Sequence, residues 1–138
     1  MMVCAVLAGA ASAHPDPAEA ERPARTLPEP VRADVEAITA QLLEIRDEEV
    51  ELSCPKAVEN ARYGVETMLE VGERNRQGGY MTQAQYSAMA IPLREALTTL
   101  TLADCEQASG GRLAFYRCMS NDYNHVLACA KLDTKQPD

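Results

Sequence analysis

The chain has 138 residues, 46% of them apolar, which is enough for one hydrophobic core and one domain. Its formal net charge of −8 argues against nucleic acid or an anionic membrane surface as a partner, since both are bound by Lys and Arg that displace counterions. There is no Trp and one Phe, β-branched residues are few, and Ala, Leu, Glu, Gln and Arg are common; that balance favours helix over sheet.

The opening residues, MMVCAVLAGAASAHP, read as a signal peptide over 1–13. An apolar run from Val3 to Ala11 leads into the small-x-small pattern Ala11-Ser12-Ala13 and then polar His14-Pro15. The run is too short for a membrane span, and no lipidated cysteine follows it, because Ala10 stands where a lipoprotein box would need one. Residues 14–30 hold five prolines and almost no large apolar side chain. Such a segment buries too little surface to offset its ordering entropy and is expected to be a disordered or extended leader.

A helical domain is expected over 31–132, followed by a polar tail over 133–138. Val31, Val35, Ile38, Leu42, Ile45 and Leu52 recur at alternating three- and four-residue spacing, with Glu49 at the one polar position in the series, which predicts an amphipathic first helix of about six turns. The run Asp47-Glu48-Glu49 is poorly placed near its C-terminus, where the helix dipole favours cations. Ser53-Cys54-Pro55 starts a second helix that turns Val58, Ala61, Val65, Met68, Leu69 and Gly72 inward and stops at Gly78-Gly79. Thr82 caps a third, with Tyr86, Met89, Leu93, Leu97 and Leu100 as its stripe and Pro92 as a predicted kink. Gly110-Gly111 separates it from a last segment carrying Leu113, Phe115, Tyr116, Met119, Val126 and Leu127. The expected fold is all-α: a disulfide-stapled up-down bundle of about four helices.

Removing the signal peptide takes Cys4 away and leaves Cys54, Cys105, Cys118 and Cys129, which in an exported chain fit two disulfides. Cys54 opens the second helix and Cys105 closes the third after a nearly equal run, so both arrive at one end of the bundle. If 112–131 were one straight helix, Cys118 and Cys129 would stand about 16 Å apart along it, whereas bridged Cα atoms lie within about 7 Å. The pairing Cys54–Cys105 with Cys118–Cys129 satisfies every level, provided the last segment folds back near Ser120-Asn121-Asp122. These three residues suit caps and turns, because their short polar side chains bond nearby backbone.

Motifs for chemistry are thin. His125 with Cys118 and Cys129 invites zinc, but no C-x-x-C pair is present, and disulfides compete for the sulfurs. One carboxylate-x-x-His unit, Asp122 to His125, is half of what a di-iron bundle needs. His125 and Asp122 could form a base–orienter pair, without any nucleophile elbow beside them. Glu66, Glu70 and Glu73 are flanked by arginines, the pattern of a solvated face. Met68, Met81 and Met89 suit core filling or a soft-metal groove. The reading from sequence is therefore an exported, periplasmic or extracellular module without a cofactor that acts by protein contact, as an inhibitor, secretion accessory or chaperone would. The alternatives are a metal carrier using His125 with Met and Cys ligands, or a small hydrolase using His125 and Asp122.

Overall fold

The computed structural model describes residues 22–46 and 50–134, which fold as helices with no strand among them. The segment expected to be a signal peptide, most of the expected leader, the acidic run 47–49 and the end of the expected tail lie outside the described residues. Among the described residues there are six helices where four were expected: α1 (Glu29–Leu42), α2 (Cys54–Gln77), α3 (Gln83–Thr99), α4 (Leu102–Glu106), α5 (Gly110–Met119) and α6 (Val126–Asp133). Helix α2 is the hub, packing against α3, α4, α5 and α6.

Local chemistry explains most boundaries. Pro55 sits in the first turn of α2, where a missing N–H goes unnoticed, and Arg74 and Arg76 lie in its last turn near the negative end of the dipole. Gly79 then takes φ +76°, a left-handed turn that a side chain would strain. Thr82 and Gln85 form a reciprocal capping box at α3, with bonds of 3.1 and 2.8 Å. Helix α3 runs on through exposed Pro92 and ends at Thr99, short of Cys105. There the guanidinium of Arg62 donates to the carbonyls of Leu97 (2.7 Å) and Leu100 (3.3 Å), serving groups that no longer have a helical partner. Thr101 caps the separate short helix α4, accepting from the Asp104 N–H at 3.1 Å.

The last segment folds back. Ser120 ends α5 and His125 opens α6, so the two helices form a hairpin. Disulfides join Cys54 to Cys105 and Cys118 to Cys129, with Cα separations of 5.7 and 5.6 Å. The core gathers Ala57, Val58, Ala61 and Val65 of α2 around Leu100, Cys105, Phe115, Tyr116, Met119, Val126 and Cys129. Tyr116 is fully buried, and its hydroxyl donates to Asp104 at 2.5 Å. Arg112 bridges Asp104 (2.6 Å) and Asp133 (3.1 Å), locking α4, α5 and α6 together. Burial, with the Asp104 carboxylate beside it, pushes the Tyr116 phenol well above its ordinary pKa, so it stays a hydrogen-bond donor.

The first helix departs most from expectation. It starts at Glu29 and stops at Leu42 instead of running from Val31 to Leu52, and it contributes no buried residue. Ile45 and Leu52, counted above as its last apolar positions, belong to a non-helical connection and pack partly against the core. The remaining stripe of Val31, Val35, Ile38 and Leu42 is 43–56% exposed.

Candidate functional site

Helix α1 is held at both ends instead of being packed along its length. At its C-terminal end, the strap that follows, non-helical at 43–46 and 50–53, is fastened by the loop between α5 and α6. The Arg46 N–H donates to Asn124 Oδ1 at 2.8 Å, and Asn124 Nδ2 donates to the carbonyls of Cys118 (3.1 Å) and Arg46 (3.4 Å). The Ser53 N–H donates to Ser120 Oγ at 3.0 Å, and that hydroxyl also donates to the Tyr116 carbonyl at 2.9 Å. The Arg46 guanidinium lies 5.1 Å above the Tyr123 ring. Asn121 turns the loop, its Oδ1 accepting from the Tyr123 N–H at 2.9 Å. Each of these loop groups lies between Cys118 and Cys129, so the disulfide closes the clamp that holds the strap.

At the other end, the Arg25 N–H donates to the Gly79 carbonyl at 2.7 Å, and its guanidinium lies 4.9 Å from the Tyr80 ring centre. These two fastenings stretch α1 alongside α2. Fourteen helical residues span about 21 Å, close to the distance along α2 from Gly64 to the hairpin turn. The apolar stripe of α1 stays exposed between them. It is bordered by Asp34 on one edge, without an ion pair among the described residues, and by Thr39 on the other. Arg32, the helix's one cation, pairs with Glu29.

Leu42, at the end of the stripe, also lines a cavity of about 290 Å³, together with Asn60, Tyr63, Met119, His125 and Val126 among others. Asp122 and His125 both reach this cavity, but not as a catalytic pair. Asp122 accepts from Lys56 (2.8 Å) and Asn60 (3.1 Å), which hold its carboxyl below the usual carboxylate range. His125 is the N-cap of α6, its Nδ1 accepting from the Leu127 N–H at 3.2 Å. An accepting nitrogen carries no proton, so the neutral ring is the Nε2–H tautomer. Burial lowers its pKa further and keeps it neutral. The ring therefore offers the cavity a donor, while its lone pair is committed to the helix end. A general base or a metal ligand needs that lone pair free.

The remaining candidates disperse. Glu66, Glu70 and Glu73 each take an arginine of α2, namely Arg62, Arg74 and Arg76. Met68 packs on the core, Met89 against Gly72, and Met81 lines a different cavity at the α2–α3 turn. Among the described residues, no group of three His, Cys, Asp or Glu side chains could hold a metal ion. Nor is any described helix long and apolar enough to cross a membrane. Sequence reasoning missed the clamp: Asn124 and Ser120 looked like generic turn formers, and nothing local tells that their side chains fasten backbone 67 and 78 residues away. No family model matches this chain, and no curated protein or solved structure does either.

Proposed function

We propose that this protein is an exported, disulfide-stapled module that works by protein contact and not by catalysis, with the exposed apolar face of α1 as its docking element. The observation that carries this reading is the stripe of Val31, Val35, Ile38 and Leu42, lifted off the core and held open by fastenings at both ends. An apolar stripe at helical spacing suits one kind of occupant, an amphipathic helix laid along it. The unpaired rim carboxylate Asp34, on a chain of net charge −8, selects a helix flanked by Lys or Arg. Export is supported by the Ala11-Ser12-Ala13 pattern and by two disulfides, which persist in oxidising compartments.

The test is selection of the mature, oxidised protein against a displayed library of amphipathic helices with basic, neutral or acidic rims. Enrichment of basic-rimmed helices, abolished by Val35→Asp with Ile38→Asp but retained by Tyr63→Ser, supports the reading. Binding indifferent to the α1 double variant refutes it, and so does enrichment without regard to rim charge. Self-association lost in the same double variant would replace the foreign helix with a second copy of this chain.

A further inference from the structure

At the opposite end of α1, where the leader meets the α2–α3 turn, lies a second cavity of about 390 Å³. That is within the size range of small-molecule sites. Arg22, Arg25 and Arg76 line it, and no carboxylate does among the described lining residues, on a chain with 21 acidic residues against 13 basic ones. We propose that this cavity is a binding site for an oxyanion, a carboxylate or a phosphate group, gripped by Arg22 and Arg25.

Two features support a built site. Arg25 is fixed before any ligand arrives: its backbone N–H is bonded to the Gly79 carbonyl at 2.7 Å, its Nη1 donates to the Gly78 carbonyl at 3.4 Å, and its guanidinium lies over Tyr80. Restricting a long side chain in advance removes an entropic cost from binding. Arg76 is aligned by Glu73 through bonds of 2.9 and 2.7 Å, so its charge is matched and it serves as wall more than as ligand. Among the described lining residues that leaves Arg22 and Arg25 as the net positive charge, each with the planar fork that suits carboxylate and phosphate oxygens. Thr82 and Gln83, at the start of the 17-residue helix α3, add the positive end of a helix dipole to the same cavity. The capping box engages the Gln85 N–H and leaves the first N–H groups of the helix to other acceptors.

The experiment is calorimetric titration of the mature, oxidised protein with succinate and, separately, inorganic phosphate at constant ionic strength. One-to-one saturable binding of at least one anion is expected, and the tighter of the two identifies a carboxylate or a phosphate as the natural group. Arg22→Gln, on an exposed side chain, should weaken it about tenfold, the share of one charge-assisted contact. Arg25→Lys keeps the charge but loses the fork and should weaken it comparably. Arg117→Gln, an exposed cation on α5, should change nothing. Failure of both anions to saturate, or an equal loss in Arg117→Gln, overturns the proposal.

Discussion

Replacing Asn124 with Ala tests whether the loop between α5 and α6 really holds α1 in place. Asn124 is 8% exposed and makes a two-way amide contact with the Arg46 backbone as well as a bond to the Cys118 carbonyl. The Cys118 carbonyl keeps the Asn121 N–H at 3.2 Å, so its loss is partial, and the Arg46 pair carries the effect. Two hydrogen bonds at a net 0.5–1.5 kcal/mol each give about 1–3 kcal/mol. The strap can escape part of that cost by letting go and returning its N–H to water. The defect should therefore be local before it is global. Native-state hydrogen exchange should show the Arg46 amide losing protection by about ten- to hundredfold, because each 1.4 kcal/mol is a factor of ten. Val65, buried in α2 away from the strap, should change by no more than the global stability does. Unchanged exchange at Arg46, with a urea midpoint shift worth less than about 0.5 kcal/mol, would refute the clamp.

The disulfides should differ in both size and place of effect. By loop-closure entropy, Cys54→Ala with Cys105→Ala, opening a separation of 51 residues, should lower the unfolding free energy by about 4 kcal/mol; Cys118→Ala with Cys129→Ala, opening 11, by about 3 kcal/mol. Urea denaturation measures the sizes, and selective loss of Arg46 protection only in the second variant shows the place; equal exchange in both contradicts the clamp. Gly111→Ala puts a Cβ 2.7 and 2.8 Å from the carbonyl oxygens of Asp133 and Leu132, rigid backbone that cannot step aside, and should cost about 1–3 kcal/mol in thermal unfolding. Gly72→Ala meets only the flexible end of Met89 and should cost less; the reverse order would mean that the α5–α6 contact is looser than it looks. His125 has a folded-state pKa below its ordinary 6.5, so the unfolded state binds the proton more readily. Its contribution is complete above about pH 6.5 and fades as the pH falls below that value. His125→Asn keeps a neutral cap and should flatten the melting temperature between pH 7 and 5; an unchanged slope assigns it to other groups.

Much of the helical layout was legible because its signals are local. Pro55, Gly78-Gly79, the Thr82–Gln85 box and Gly110-Gly111 mark boundaries by backbone chemistry that needs no tertiary context. The fold-back at Ser120 followed from a geometric conflict, since two cysteines 11 apart on a straight helix cannot meet. What could not be read was the fate of an amphipathic pattern. The spacing Val31, Val35, Ile38, Leu42, Ile45, Leu52 says that six side chains share a face if the chain is helical throughout; it does not say that the helix continues, or that the face is covered by this chain. The helix stops at Leu42 because the next residues find better partners in Asn124 and Ser120, which are remote in sequence. The break at Leu100–Thr101 was hidden in the same way: Arg62, 35 and 38 residues upstream, satisfies the carbonyls that make it possible. The Asp122–His125 pair was adjacent in the right spacing for chemistry, but each side chain is spent on a structural bond.

The two fastenings of α1 have different characters, and the difference bears on where the docking face can exist. The Arg25 fastening is a backbone bond and a ring contact that need only the α2–α3 turn. The Asn124 fastening needs a loop whose shape depends on the Cys118–Cys129 bond. A 14-residue helix with no buried residue is marginal alone in water, so α1 owes its order to being pinned at both ends. Reduction of Cys118–Cys129 would free one pin and return the helix to fraying, while α2 and α4, tied by Cys54–Cys105, and α3, packed on α2, keep their place. Under the proposed reading the docking face is thus assembled where disulfides survive. In a reducing compartment its apolar stripe belongs to a loosely held arm, and a partner helix would have to supply the ordering energy that the clamp otherwise provides.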